Sequence, residues 1–251
     1  MTTPSDPIAY LRRLKAAGNH NDVVQMIRDR DTAIAEWGSV FSRPDRLTEE
    51  EFAAFLLFEH NRHWWGLQRR TEILTRWFDS VRSMIVDLLD EARRIEARID
   101  SLGEPREFDH EVWSPILLVT HPETYGVWNS ISESAMRRLG LWPDEAEGTS
   151  TGVTYRHVNE TLLLVSDDVR TDLWTLDALW WAVEKEHDPT RHFVARRKVA
   201  PTRTTRTATP RARTATKPRP SGEDTFVCQS CWTTKPVRLG SDTAGICIDC
   251  A

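Results

Sequence analysis

The chain has 251 residues, enough for one good-sized domain and an appendage, and its 39% hydrophobic and 28% charged residues are those of an ordinary water-soluble fold. No apolar run is long enough to span a bilayer as a helix and no secretory leader is visible, which predicts a cytoplasmic location with no membrane partner. The formal net charge of −5 hides an asymmetry: residues 1–190 hold 21 Lys+Arg against 34 Asp+Glu, residues 191–220 hold 10 against none, and residues 221–251 hold 2 against 4.

The expected fold is mainly α. A multi-helix body over residues 1–190 contains a central helical hairpin, a disordered basic linker spans 191–220, and a small zinc ribbon occupies 221–251. Residues 8–36 carry Ile8, Leu11 and Leu14, then a break at Gly18, then Val23, Ile27, Ile34 and Trp37 at helical spacing. Gly38 to Arg46 reads as a loop with turn chemistry at Ser42-Arg43-Pro44-Asp45. Thr48 with Glu51 three residues on makes a capping box, and the helix it starts is expected to run to about Trp65. Arg69 to Leu102 reads as one long helix or a near-continuous pair, with Asp87, Asp90, Glu91, Arg93, Arg94, Glu96 and Arg98 on a solvated face.

The stretch Trp113 to Pro143 predicts a hairpin: an apolar helix, a turn at His121-Pro122, and a helix from Ser130 or Ser132 that stops at Gly140. A polar loop covers 144–152, and Val153 to Asn159 reads as a short strand or extended arm. Helices follow over about 159–169 and 173–186, the second with Leu176, Leu179, Trp180 and Val183 on its core side.

Four features carry chemistry. The run Asn61-Arg62-His63-Trp64-Trp65 at a helix end offers the donors that phosphates and base edges require; equally, Asn61 and His63 can bond the free carbonyls of the helix terminus. His60 and His63, three apart, suit a metal, but no partner set of carboxylate or His accompanies them. Eleven Trp are present, and both core packing and base stacking on exposed Trp account for so many. The linker holds Arg196, Arg197, Lys198, Arg203, Arg206, Arg211, Arg213, Lys217 and Arg219 among Thr, Ala and Pro, with no acid. Such a segment cannot offset its ordering entropy by burial, and its cations would release counterions from duplex DNA or another polyanion.

The C-terminus carries Cys228 and Cys231, then fifteen residues, then Cys247 and Cys250. Two CxxC pairs at this separation present four thiolates to a tetrahedral Zn²⁺ and leave no open position, so the expected metal is structural. A module of about thirty residues would draw its folding free energy from that metal. Two disulfides, a redox CxxC and an iron site are the other readings of the four cysteines.

His121-Pro122-x-x-Tyr125-x-Val127-Trp128-Asn129-Ser130 after an apolar helix resembles a segment in the N-terminal regions of McrB-like, restriction-associated bacterial proteins. Leu47 to Arg69 and Asp172 to Trp181 match the same pattern in the same order, so the resemblance covers about residues 45–185. It implies a role in restriction or genome defence, with any ATPase or nuclease acting in trans. Residues Pro122–Leu139 are also faintly similar to the helix-hairpin-helix DNA glycosylase core. They depart from it at Glu107-Phe108-Asp109-His110, which replaces a Gly-x-Gly hairpin, and at Asn129, which replaces a carboxylate. With no Walker A loop, nucleophile set or glycine-rich phosphate loop, the sequence predicts a non-enzymatic DNA-associated binding protein. The alternative is a protein–protein adaptor whose zinc ribbon docks a partner.

Overall fold

The computed structural model describes residues 4–18, 20–61, 63–103, 107–144, 146, 148–187, 225–227 and 234–236. The chain divides into two units, residues 1–197 and 198–251.

The described part of the first unit is helical: α1 (Pro7–Ala17), α2 (Asn21–Phe41), α3 (Glu49–Leu57), α4 (Trp65–Arg76), α5 (Phe78–Leu88), α6 (Ile95–Ser101), α7 (His110–Thr120), α8 (Ser130–Leu139), α9 (Thr151–Val169) and α10 (Leu173–His187). Short 3-10 turns at Pro44–Arg46 and Glu59–Asn61 flank α3. In the second unit Thr225–Val227 (β1) pairs antiparallel with Thr234–Pro236 (β2), Phe226 facing Lys235 in the register.

Caps explain most boundaries. Asp6 accepts the Ala9 N–H at 2.9 Å and starts α1. The Thr48–Glu51 box closes at 2.9 and 3.2 Å, as its spacing predicts. Asn129 caps α8 by accepting from the N–H groups of Ile131 and Ser132, and Gly140 ends it in the left-handed conformation (φ 69°) that its missing Cβ permits.

The body is organised around α10. Every residue from Leu173 to Lys185 is buried, which an amphipathic surface helix never shows. It packs against α1, α2, α8 and α9. Most of its polar groups find partners on those neighbours or inside the core. The Trp174 indole donates to the Met26 carbonyl at 2.7 Å, Ser134 donates to Glu184 at 2.9 Å, Tyr10 donates to Glu186 at 2.8 Å, and Lys185 pairs with Asp22.

Four expectations need correction. The helix α2 continues through Phe41 because Ala33, Trp37 and Phe41 extend one buried stripe at i, i+4 spacing; the loop starts only after them. The stretch 48–65 is not one helix: α3 stops at Leu57, and the following turn carries the chain inward. The stretch 69–102 is three helices, broken at Trp77 and again after Leu88, where Asp90 accepts the Ala92 N–H in a local turn. On its supposedly solvated face Glu96 and Arg98 are buried, Arg98 donating to the Leu88 carbonyl at the end of α5 and to the Tyr125 hydroxyl. Val153–Asn159 is neither strand nor arm. Ser150 caps α9 there, and Tyr155, Val158, Leu162, Val165 and Val169 form one buried helical stripe that outweighs the local β-branched bias.

Close helix packing depends on Gly152. A Cβ built there would lie 2.2 Å from the Glu96 carbonyl oxygen, across the contact between α6 and α9. Gly152→Ala is therefore expected to destabilise the body by about 1–3 kcal/mol despite the better helix propensity of Ala, because backbone cannot yield as a side chain does. Denaturant melts of the two proteins check this, and a stabilised variant would refute the packing.

Candidate functional site

The three stretches that carry the sequence resemblance meet at one polar cluster in the interior. The connection from α3 to α4 brings Asn61, His63 and Trp64; the α8 cap brings Asn129; α10 brings Trp174 and Asp177. All six are at most 8% exposed.

Local structure positions each group. Beyond Leu57 the chain turns at Phe58, and the Asn61 side chain donates to the Phe55 carbonyl at 3.1 Å, capping the end of α3. That turn points the next two rings inward. The Trp64 indole donates to Asp177 at 2.9 Å, and the His63 ring lies edge-on to Trp174 with centroids 5.1 Å apart. Asn129 has two tasks: its side-chain oxygen caps α8, while its amide nitrogen reaches Asp177 at 3.5 Å. His63 Nε2 stands 3.7 Å from the same carboxyl, a contact rather than a hydrogen bond.

This placement corrects the expectation that Asn61 and His63 contact nucleic acid. At 0% and 3% exposure they offer no donor to an external phosphate, because one caps a helix and the other packs in the core. His60 and His63 do not share a ligand either: His60 Nδ1 meets Asp29 at 2.7 Å while His63 turns inward. Among the described residues, no group of three or more His, Cys, Asp and Glu is placed to hold a metal. Arg62 lies outside the described residues. So do the linker cations Arg196, Arg197, Lys198, Arg203, Arg206, Arg211, Arg213, Lys217 and Arg219, and the cysteines Cys228, Cys231, Cys247 and Cys250. Among the described residues no helix is long and apolar enough to cross a membrane.

Electrostatically the cluster holds two titrating groups pushed in opposite senses. Burial raises the Asp177 carboxyl to about 7, the hydrogen bonds from Trp64 and Asn129 offsetting only part of the desolvation. Burial lowers His63 to about 3, opposed by its bond to the His60 backbone. Both groups therefore favour their neutral forms, so the interior avoids the cost of an isolated charge. Asp177 is the member that sequence reasoning missed. Its signal was an acid inside an otherwise apolar helix, Leu173-Trp174-Thr175-Leu176-Asp177-Ala178-Leu179-Trp180-Trp181.

A second, half-buried group lies at the start of α7 and the connection from α7 to α8. Arg70 forks onto Asp109 at 2.9 and 2.7 Å, His110 stacks on Trp128 with centroids 4.3 Å apart, and the Trp128 indole donates to Glu133 at 3.1 Å. These contacts satisfy one another and fasten α4 and α8 to α7. No family model, no curated protein and no solved structure matches the chain.

The opposed shifts have a measurable consequence. Asp177 holds a proton that the unfolded chain gives up near 3.8, so its contribution is complete below that value and is lost as pH rises to about 7. His63 refuses a proton that the unfolded chain accepts near 6.5, so its contribution is present above that value and is lost as pH falls toward about 3. Between these limits the two slopes, each about 1.4 kcal/mol per pH unit, cancel. Relative to the native protein, Asp177→Asn should lose stability with acidification and His63→Gln should gain it. Unfolding free energies measured from about pH 4 to 6.5 check both signs, and parallel profiles for all three proteins would refute the assignment.

Proposed function

We propose that the chain is a non-enzymatic DNA-associated binding protein, with a role in restriction or genome defence as its resemblance to McrB-like N-terminal regions implies. The observation that carries this reading is the distribution of charge: ten Lys+Arg and no acid over residues 191–220, attached to a body of net −13. Cations in such density bind phosphates through counterion release, without base recognition and with steep dependence on salt. The burial of Asn61 and His63 concentrates the expected DNA contact on the linker.

The cysteines fit a structural zinc site by donor chemistry. Four thiolates in two CxxC pairs close a tetrahedral shell, and the first pair, Cys228 and Cys231, belongs to the six residues that join β1 to β2. Cys228, Cys231, Cys247 and Cys250 would hold the metal and fasten this small unit; the metal supplies folding free energy and no catalysis.

The test is a salt titration of binding to duplex DNA by the full chain, by a chain ending at Pro220 and by one ending at His187, purified with zinc. A steep negative slope that survives the first truncation and disappears with the second is the expected result. Absence of binding by the full chain at about 50 mM salt would overturn the DNA reading and leave the adaptor, in which the acidic body and the cysteine unit each dock a protein. For the metal, one zinc per chain by elemental analysis is expected, lost in the Cys228→Ser, Cys231→Ser double variant. A metal-free native chain would refute the site.

A further inference from the structure

Seven of the ten Trp in the body are at most 8% exposed, which absorbs most of the Trp content into the core. The two that stand most open, Trp65 at 38% and Trp77 at 63%, bracket one helix, α4. The outer face of that helix carries Trp65, Arg69, Glu72 and Arg76 at i, i+4, i+7 and i+11, all exposed, with Trp77 at its end. Its inner face is anchored by Leu67 and Leu74 in the core and by the fork of Arg70 on Asp109.

We propose that this outer face of α4 is a stacking platform for single-stranded nucleic acid. The inference rests on the DNA-associated reading above and adds to it a contact on the body and an unpaired strand as its ligand. Three observations point there. The Arg69 guanidinium lies over the Trp65 ring at 4.4 Å, which presents a flat cationic and aromatic pair at the surface. Charge is locally reversed: with Arg70 turned to Asp109, the outward charges of residues 65–82 are Arg69, Arg76 and Arg82 against Glu72 and Asp79, in a body that is otherwise strongly acidic. The ion pairs on that face and just beyond it on α5, Arg76 with Glu72 at 2.9 Å and Arg82 with Asp79 at 3.2 Å, join exposed groups and hold each other weakly, so a phosphate competes for the guanidinium.

Dimensions and chemistry agree on the ligand class. Twelve residues of helix separate the two indoles by about 18 Å along the axis, at most about five nucleotides of one strand. Indole faces stack on any base that is free of its partner, whereas a duplex keeps its bases inside. The platform thus begins two residues past His63: the chain turns Asn61 and His63 inward and leaves Trp65, the last member of the same sequence run, outside.

The experiment measures binding of the zinc-loaded full chain to a labelled oligothymidine of about 20 nucleotides and to a duplex of equal length, each across a salt series. The variants are W65A/W77A and R69Q/R76Q in the full chain, with W77A alone as the least invasive change and thermal midpoints as the folding control. W65A/W77A is expected to weaken oligothymidine binding about tenfold or more, with the duplex affinity and the salt slope unchanged. R69Q/R76Q is expected to flatten the oligothymidine salt slope by about one charge. Native-like oligothymidine binding by W65A/W77A and W77A would overturn the platform while leaving the linker reading intact. Equal weakening on the duplex would overturn the single-strand assignment. A native chain that binds neither probe overturns both readings.

Discussion

A carboxyl group buried on a helix that is itself buried on every side is the constraint to which the rest of the body answers. Taking Asp177 out of water is costly unless its oxygens are matched and its charge is removed. The fold supplies the match from two separate elements: the Trp64 indole of the α3–α4 connection and the Asn129 amide of the α8 cap converge on one side chain of α10, with the His63 ring in contact beside them. The same logic repeats along the helix. Trp174 meets the backbone of α2, Glu184 meets Ser134 and Arg138 on α8, and Glu186 meets Tyr10 on α1. Apolar side chains alone would tolerate a rotated or shifted α10. A chain of polar partners, each on a different neighbour, admits one register, because a slip by one residue strands several buried groups at once.

The fold was legible where local chemistry decides it. The break at Gly18, the Thr48–Glu51 box and the stop at Gly140 are set by residues within a turn of the boundary, and these follow from the sequence. Boundaries set by tertiary packing were not legible. Helix α2 extends to Phe41 because the core has room for that ring, and α3 ends early because His63 and Trp64 must enter the interior. The β-branched run at Val153 reads as extended in isolation and is helical because Tyr155, Val158 and Leu162 face the core together. Arg98 looked like one more solvated cation and is instead a buried clamp on the end of α5.

Legibility of the site divides in the same way. The polar–aromatic run at residues 60–65 stood out by composition, but composition does not say which of six neighbouring side chains points inward. The turn at Phe58 settles that, sending Asn61, His63 and Trp64 to the core and Trp65 to the surface. The cysteines and the linker cations lie outside the described residues, and the expectation for them rests on covalent spacing and charge count rather than on packing.

The helix that completes the core is also the last of the body's described helices. Its bonds reach back 113 residues to Trp64, 148 to Met26 and 176 to Tyr10, separations far beyond those of a bundle assembled from sequential hairpins. Loops of that length close late, since their entropy must be lost before their contacts reward it. During synthesis α1, α2, α8 and α9 emerge with the helix they share still missing, and the stripes they turn to it stay open until α10 appears. The body thus has a built-in assembly checkpoint: a nascent chain interrupted before Leu173 can still pair α2 with α7, α3 with α4 and α6 with α9, but it leaves four helices without the one they share, and would present itself to chaperones and proteases as an unfinished protein rather than as a shortened one.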